Sequence, residues 1–176
     1  MARLVAFLRG INVGGHVVTK EELQKTFKGL GFEEVTTYRQ SGNVIFEAGR
    51  VKPDWVRVRI ETALRRELGY DVAVFIRTFE DLVKAVESAP KLPGKEGTSL
   101  LVTMLQSSPA KFPLPLPTTI PKSTAQIVSA SGTEVFSLTH GGGEGALPNP
   151  FLEAKLKVKA TTRNMNVIRE IVERYG

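Results

Sequence analysis

The chain has 176 residues, of which 41% are hydrophobic, and this is enough apolar material for one domain or two small ones. It contains no cysteine, which excludes disulfides, thiolate catalysis and cysteine-based zinc sites. The net charge of +6 favours anionic partners. Because the chain has neither an apolar run of membrane-spanning length nor a signal-peptide pattern, we expect a cytoplasmic protein that does not enter membranes.

The first half of the chain alternates strand and helix patterns. Thr19 and Glu22 have capping-box spacing and predict a helix start, which Gly29 and Gly31 bring to an end. In chain order the patterns predict a strand over 4–8, that helix, strands over 34–40 and 43–48, a helix over 53–69, a strand over 72–77 and a helix from Phe79. This order is typical of a ferredoxin-like split βαβ unit with an extra C-terminal helix, which we assign to residues 1–90.

The second half repeats this order after a linker over 88–97. It predicts a strand over 98–105, a hairpin over 125–138, a helix over 149–156 with Asn149 as cap and Pro150 in its first turn, and a strand running into a helix over 158–175. Where the first helix belongs, residues 107–123 are proline-rich, which disfavours a regular helix. We therefore predict an α+β fold of two tandem ferredoxin-like units, the second, at 97–176, being degraded.

Three polar segments are the candidate functional residues: RGINVGG at 9–15, QSGN at 40–43 and TTRNMN at 161–166. In the predicted topology the end of the first strand and the turn between the second and third strands lie at the same edge of the sheet. A glycine-rich turn that leads into a helix can hold an anion with its N–H groups and the positive helix end. The predicted ligand-binding residues are Arg9, Gly10, Asn12, Gly14, Gly15, Gln40, Ser41, Asn43, Thr162, Arg163 and Asn164.

The third segment joins the other two only if the second unit packs inverted against the first. We therefore expect a pseudo-twofold arrangement that places Arg163 in the same cleft as Arg9 and Asn12. There the Arg163 guanidinium would be a bidentate donor to an anion.

These segments also carry a family resemblance. LRGINVGG, TYRQSGNVIFEA and ATTRNMNVI together resemble the signature segments of the domain of unknown function family numbered 1697, and the resemblance covers essentially the whole chain. It implies a paired α+β structure and implies no activity. The chain departs from the family pattern at Met165, where an aromatic residue is usual, at Arg39, where isoleucine or a similar residue is usual, and at 16–18, where an Asn-Lys pair is usual.

Two functions fit the segments. The first is a binding module for a phosphate-bearing ligand, either a nucleotide or nucleic acid. The alternative is a small-substrate enzyme whose cleft uses the same polar residues, and it ranks second because the spacing reveals no general base. A purely structural interpretation also stays open, in which the glycines only supply positive φ and Thr161 or Thr162 caps the last helix. No metal site is predicted, and the sequence identifies neither a cofactor nor an oligomeric state.

The remaining residues with chemical potential have structural interpretations. His16 and His140 are expected to be solvated loop residues, and Trp55, the only tryptophan, is expected in the core. The predicted helix over 53–69 is strongly basic, and we expect its arginines to form a solvated face interleaved with Glu61 and Glu67. These arginines are Arg57, Arg59, Arg65 and Arg66.

Overall fold

The structure is a computed structural model that describes residues 1–39, 42–141 and 147–176. Within those residues the chain forms five α-helices and two antiparallel sheets, which confirms the predicted mixed α+β class. It divides into two compact units, Met1–Asp81 (unit 1) and Leu82–Gly176 (unit 2). The predicted ranges 1–90 and 97–176 stay a prediction.

The helices and strands follow the predicted order closely. Up to the unit boundary they are β1 (Ala2–Arg9), α1 (Lys20–Gly29), β2 (Glu33–Thr37), β3 (Asn43–Ala48), α2 (Pro53–Leu68), β4 (Ala73–Thr78) and α3 (Phe79–Ser88), which crosses it. The later elements are β5 (Thr98–Leu105), β6 (Thr118–Thr119), β7 (Gln126–Ser131), β8 (Glu134–His140), α4 (Pro148–Leu156), β9 (Ala160–Asn164) and α5 (Met165–Tyr175).

The sheet of unit 1 is built around β1. Its strand order is β2-β3-β1-β4, and β1 pairs antiparallel with both β3 and β4. Alternate residues of β1, namely Leu4, Ala6 and Leu8, point to a buried core, because side chains two apart share one face of a strand. Helices α1 and α2 supply the other half of this core, including Phe27 and Ile60. The end of β1 is therefore fixed in the middle of the sheet.

The sheet of unit 2 has the strand order β6-β7-β8-β5-β9. The proline-rich stretch over 107–123, rather than a helix like α1, helps to cover it. Leu152 of α4 packs with Ile120 of the proline-rich stretch in one core cluster, and Phe112 and Leu114 lie against it. No helix forms over 107–123, which is described throughout and contains only the short strand β6. Apolar side chains on irregular backbone thus line the core here, as those of α1 do in unit 1.

Two local predictions are wrong. Helix α4 begins at Pro148, not after Asn149, because Pro148 has the fixed φ that suits a first helical residue. Asn149 is instead nearly buried inside the helix. Trp55 is not in the core: its side chain is 51% exposed, since Val56 and Ile60 are the residues of α2 that face the sheet.

The capping box at the start of α1 gives a direct test of local stability. The Thr19 hydroxyl accepts a hydrogen bond from Glu22 N at 3.1 Å, and Thr19 N donates to the Glu22 carboxylate at 2.7 Å. We expect Thr19→Ala to lower the free energy of unfolding by about 1 kcal/mol, because one helix N–H loses its partner. Urea denaturation followed by circular dichroism measures the change.

Thr19→Ser is the matched control, because it keeps the hydroxyl and should stay close to the wild type. Hydrogen bonds from the Thr19 backbone and then from its side chain lower the pKa of Glu22 below its ordinary value of 4.5. The stability that this carboxylate contributes is therefore present above about pH 4.5 and lost as the pH falls through the lowered pKa. A Thr19→Ala variant as stable as the wild type at neutral pH contradicts the assignment.

Candidate functional site

The loop that follows β1 runs from Gly10 to Val18, and its backbone conformation explains its composition. Gly10, Asn12, Gly14 and Gly15 have φ values of 80°, 56°, 61° and 85°. Such positive values strain most L-residues, whereas glycine adopts them freely and asparagine tolerates them best among the others. The glycines are therefore required by the path of the loop.

A side-chain clasp closes this loop. Asn12 Oδ1 accepts a hydrogen bond from Val18 N at 2.7 Å, and Asn12 N donates to His16 O at 2.7 Å. Inside this ring His16 N donates to Val13 O at 3.2 Å. Ile11 and Val18 are both buried in the core of unit 1. The loop is thus anchored at both ends and bridged internally, so it has a defined shape without any ligand.

The tip of the loop is open. Among the residues that the structure describes, no hydrogen-bond partner contacts the amide N–H groups of Gly14 and Gly15. A Cβ added at either glycine would meet nothing within 4 Å. Val13 and Val17 flank the tip and are 65% and 77% exposed. These two amides are therefore available to a ligand.

The hairpin between β2 and β3 meets the end of β1. Leu8 N donates to Gly42 O at 2.8 Å. This hydrogen bond brings the loop and the hairpin together at the same end of the strands, as the topology predicts. Asn43 is buried. Its side-chain Nδ2 donates to Tyr38 O at 3.2 Å, and its main-chain carbonyl oxygen accepts a hydrogen bond from Tyr38 N at 3.0 Å. The side chain of Asn43 thus closes the hairpin.

Arg9 is the cationic residue closest in sequence to the loop. It is partly exposed and pairs in register with Ala73 at the end of the β1–β4 ladder. The predicted site residues Gln40 and Ser41 lie outside the described residues. Of the predicted unit 1 residues that are described, Arg9, Gly10, Asn12, Gly14 and Gly15 lie together in the loop and its base.

The predicted contribution of the helix end stays a prediction. In the first turn of α1 the Glu22 carboxylate accepts a hydrogen bond from Thr19 N as part of the capping box. The Gly14 and Gly15 amides are separate from this cap, because they precede Thr19 by several residues. The two glycine amides thus belong to the tip of the loop and not to the helix cap.

Both histidines are exposed, as expected, but each also contacts a neighbouring side chain. His16 lies against the ring of Tyr70, with 4.0 Å between ring centroids and 43° between the ring planes. His140 is the last residue of β8, and its Nδ1 is 3.0 Å from the Thr98 hydroxyl. The ring contact of His16 is a further anchor for the loop, which the sequence pattern did not reveal.

The third segment, TTRNMN, ends β9 and starts α5. Thr162 is buried, with its hydroxyl 2.9 Å from that of Thr103 and 3.2 Å from Asn149 Oδ1. Asn164 caps α5 by accepting a hydrogen bond from Asn166 N at 2.9 Å. The interpretation of Thr161 or Thr162 as the cap is therefore wrong, since both threonines belong to the strand.

Arg163 is held by its own strand. Its Nη1 donates to Thr161 Oγ1 at 2.8 Å and to Thr162 O at 2.9 Å, and burial lowers its pKa to about 10.

Sequence reasoning did not single out Arg77, which has the corresponding place in unit 1 at the end of β4. Arg77 is buried, and its Nη1 likewise donates to the preceding carbonyl, Ile76 O, at 2.9 Å. The signal that could have identified it is an arginine followed by one polar residue directly before a helix, Arg77-Thr78 before α3 and Arg163-Asn164 before α5.

Comparisons with known proteins identify relatives but no activity. The profile of a family described as "Protein of unknown function (DUF1697)" matches residues 1–136. The structure of the conserved bacterial protein SP0830 from Streptococcus pneumoniae is similar, with a TM-score of 0.72 and 20% sequence identity over 98% of this chain and 97% of that one. At this identity the likeness concerns the fold alone. No curated protein matches the chain.

One further finding concerns membranes. Over residues 1–39, 42–141 and 147–176, no helix has both the length and the apolar character that crossing a bilayer requires.

The clasp of the loop predicts different outcomes for two substitutions of Asn12. Asn12→Ala removes the acceptor for Val18 N and puts alanine at a φ of 56°, so we expect it to lower the free energy of unfolding by roughly 1–3 kcal/mol. Asn12→Asp keeps an acceptor in place and should cost much less. Urea denaturation of both variants measures the difference, and equal stability of the two would show that the clasp does not hold the loop.

Buried hydroxyls in unit 2 predict a second contrast. Ser137 Oγ is buried without a hydrogen-bond partner among the described residues, whereas Thr162 bonds to Thr103 and Asn149. We expect Ser137→Ala to leave stability unchanged or to raise it by up to about 1 kcal/mol, and Thr162→Val to lower it by roughly 1–3 kcal/mol. Thermal and urea denaturation compare the two. A Ser137→Ala variant less stable than Thr162→Val would contradict this assignment.

Proposed function

We propose that this chain, which belongs to the DUF1697 family of proteins of unknown function, binds a phosphate-bearing ligand through the loop from Gly10 to Val18. A nucleotide is the ligand class that combines a phosphate with an organic group able to cover the exposed Val13 and Val17 beside the tip. The proposal concerns unit 1 alone.

One observation carries the proposal: the amides of Gly14 and Gly15 lie at an exposed tip without a partner among the described residues. Successive amides in a turn of this kind form concave anion sites in proteins. Glycine also leaves the space around these amides open, so that phosphate oxygens can approach the backbone.

The clasp supports the proposal in energetic terms. Because Asn12 holds the loop in shape before any ligand arrives, binding does not have to order it. Arg9 at the base of the loop and the net charge of +6 both favour an anion. At the start of α1 the Glu22 carboxylate already accepts a hydrogen bond from Thr19 N, so the proposal rests on the loop amides.

The fold supports a related inference, that each unit is of the ferredoxin-like class. In unit 1, the strand order β2-β3-β1-β4 with α1 and α2 as connections is that of a split βαβ unit. In unit 2, the order β7-β8-β5-β9 corresponds to it, with α4 in the place of α2 and no helix after β5.

The other residues predicted from sequence stay predictions. Gln40 and Ser41 belong to the QSGN turn, and Gly42 beside them bonds to Leu8 at the base of the proposed site. Thr162, Arg163 and Asn164 are proposed to contribute only on the basis of the sequence pattern. Their hydrogen bonds within unit 2 are the competing structural explanation.

Isothermal titration of the full chain with inorganic pyrophosphate and with adenosine triphosphate tests the proposal. We expect saturable binding of both, and roughly tenfold weaker binding after Arg9→Ala, because one charge-assisted hydrogen bond is lost. Arg3→Ala is the matched control, since it removes the same charge from the other end of β1, where Arg3 pairs with Glu47. Absence of binding, or equal weakening by both substitutions, would refute the proposal.

A further inference from the structure

An aromatic and basic stripe runs along the exposed side of α2. Trp55, Arg59, Thr62 and Arg66 follow one another at intervals of four, three and four residues, which places them on one face of the helix. Trp55 is 51% exposed, and Arg66 has a side-chain exposure of 79%. The stripe is about 16 Å long. None of these residues belongs to the proposed phosphate site.

Trp55 is held in a fixed orientation. The Arg59 guanidinium lies 4.5 Å from the centroid of the Trp55 ring and 5.5 Å from that of Phe32, and its Nη2 donates to Leu30 O at 2.8 Å. A hydrogen bond to backbone and two ring contacts fix the guanidinium, which in turn supports the indole. The exposed half of the indole is therefore a pre-oriented stacking surface.

The charges that lie on the stripe of α2 are positive. Arg66 lies on the stripe and Arg65 lies beside it. The Arg65 guanidinium is 3.3 Å from the Asp71 carboxylate, and the Arg66 guanidinium is 3.9 Å from the Glu67 carboxylate. Both ion pairs are exposed and therefore hold the guanidinium groups weakly. The acidic residues of α2 lie about a third of a turn around the helix axis from the stripe. They are Asp54, Glu61 and Glu67. The stripe itself carries positive charge only.

From this arrangement we infer that the exposed face of α2 binds single-stranded nucleic acid. An aromatic ring on which a base stacks, followed by cations spaced along a line, is the combination that single strands recognise without sequence readout. The Trp55 indole stacks on a base, while Arg59 and Arg66 contact the phosphates that follow. An acidic protein surface would use the same charges but would not need the exposed ring.

The chain contains one tryptophan, so emission excited at a wavelength where tyrosine does not absorb reports on Trp55 alone. The experiment titrates the full protein with an oligothymidylate of about 12 nucleotides, with N-acetyltryptophanamide correcting for absorbed light. We expect saturable quenching, with an affinity that falls roughly tenfold between about 50 and 200 mM salt because counterions are released.

Variants are then compared by the anisotropy of a labelled oligothymidylate. Trp55→Ala should weaken binding roughly tenfold, and Trp55→Phe, which keeps a ring, should weaken it less. Arg66→Ala should lower both the affinity and the salt slope, by about 0.7 for the lost phosphate contact. Arg3→Ala on β1 removes the same charge outside the stripe and should leave the affinity unchanged.

Three results would overturn the inference. The first is that the oligothymidylate does not quench Trp55. The second is equal quenching by polyglutamate of matched charge, which would indicate an acidic protein partner. The third is equal affinity for a duplex, which would indicate binding without stacking. Thermal denaturation confirms that each variant is folded. If Trp55→Ala fails to fold, Trp55→Phe and Arg66→Ala decide the question, and wild-type affinity in both would also overturn the inference.

Discussion

The hydrogen bond from Val18 N to Asn12 Oδ1 is the constraint on which the candidate site depends. Strand β1 is an inner strand of its sheet, and after its end the chain must reverse direction before α1 begins at Lys20. Four residues with positive φ make this reversal, and the Asn12 side chain locks it. Without the clasp the glycines would leave the loop free to sample many conformations. With it, the two amides at the tip have a fixed direction.

The two units show how one sheet face can be covered in different ways. In unit 1 an amphipathic helix, α1, contributes Leu23 and Phe27 to the core. In unit 2 a proline-rich stretch brings Ile120 to the corresponding core. Prolines prevent the helix, yet they fix the backbone and limit the entropy lost when the stretch becomes ordered. The glycine-rich reversal of unit 1 precedes a helix that unit 2 lacks, which is why the candidate site belongs to unit 1.

Local signals in the sequence predicted most of the elements, because their causes are local. The capping box at Thr19 places the start of α1, and the continuous apolar runs within β1 and β3 place those strands. Tertiary packing decided what the sequence did not reveal. Nothing near Trp55 shows that its side of α2 is left uncovered, and nothing near Asn43 shows that its side chain closes the hairpin. The clasp of Asn12 also depends on a loop path that no short pattern encodes.

We propose that the amides of Gly14 and Gly15 hold a phosphate group. Nuclear magnetic resonance of the nitrogen-15-labelled full chain during a titration with inorganic pyrophosphate tests it most directly, because each backbone amide is observed separately. We expect saturable shifts of the Gly14 and Gly15 amide protons in the direction of stronger hydrogen bonding. Changes at Glu22 should be small, because its amide is already bonded to Thr19. Shifts that are absent from the loop, or that are confined to other parts of the chain, would contradict it.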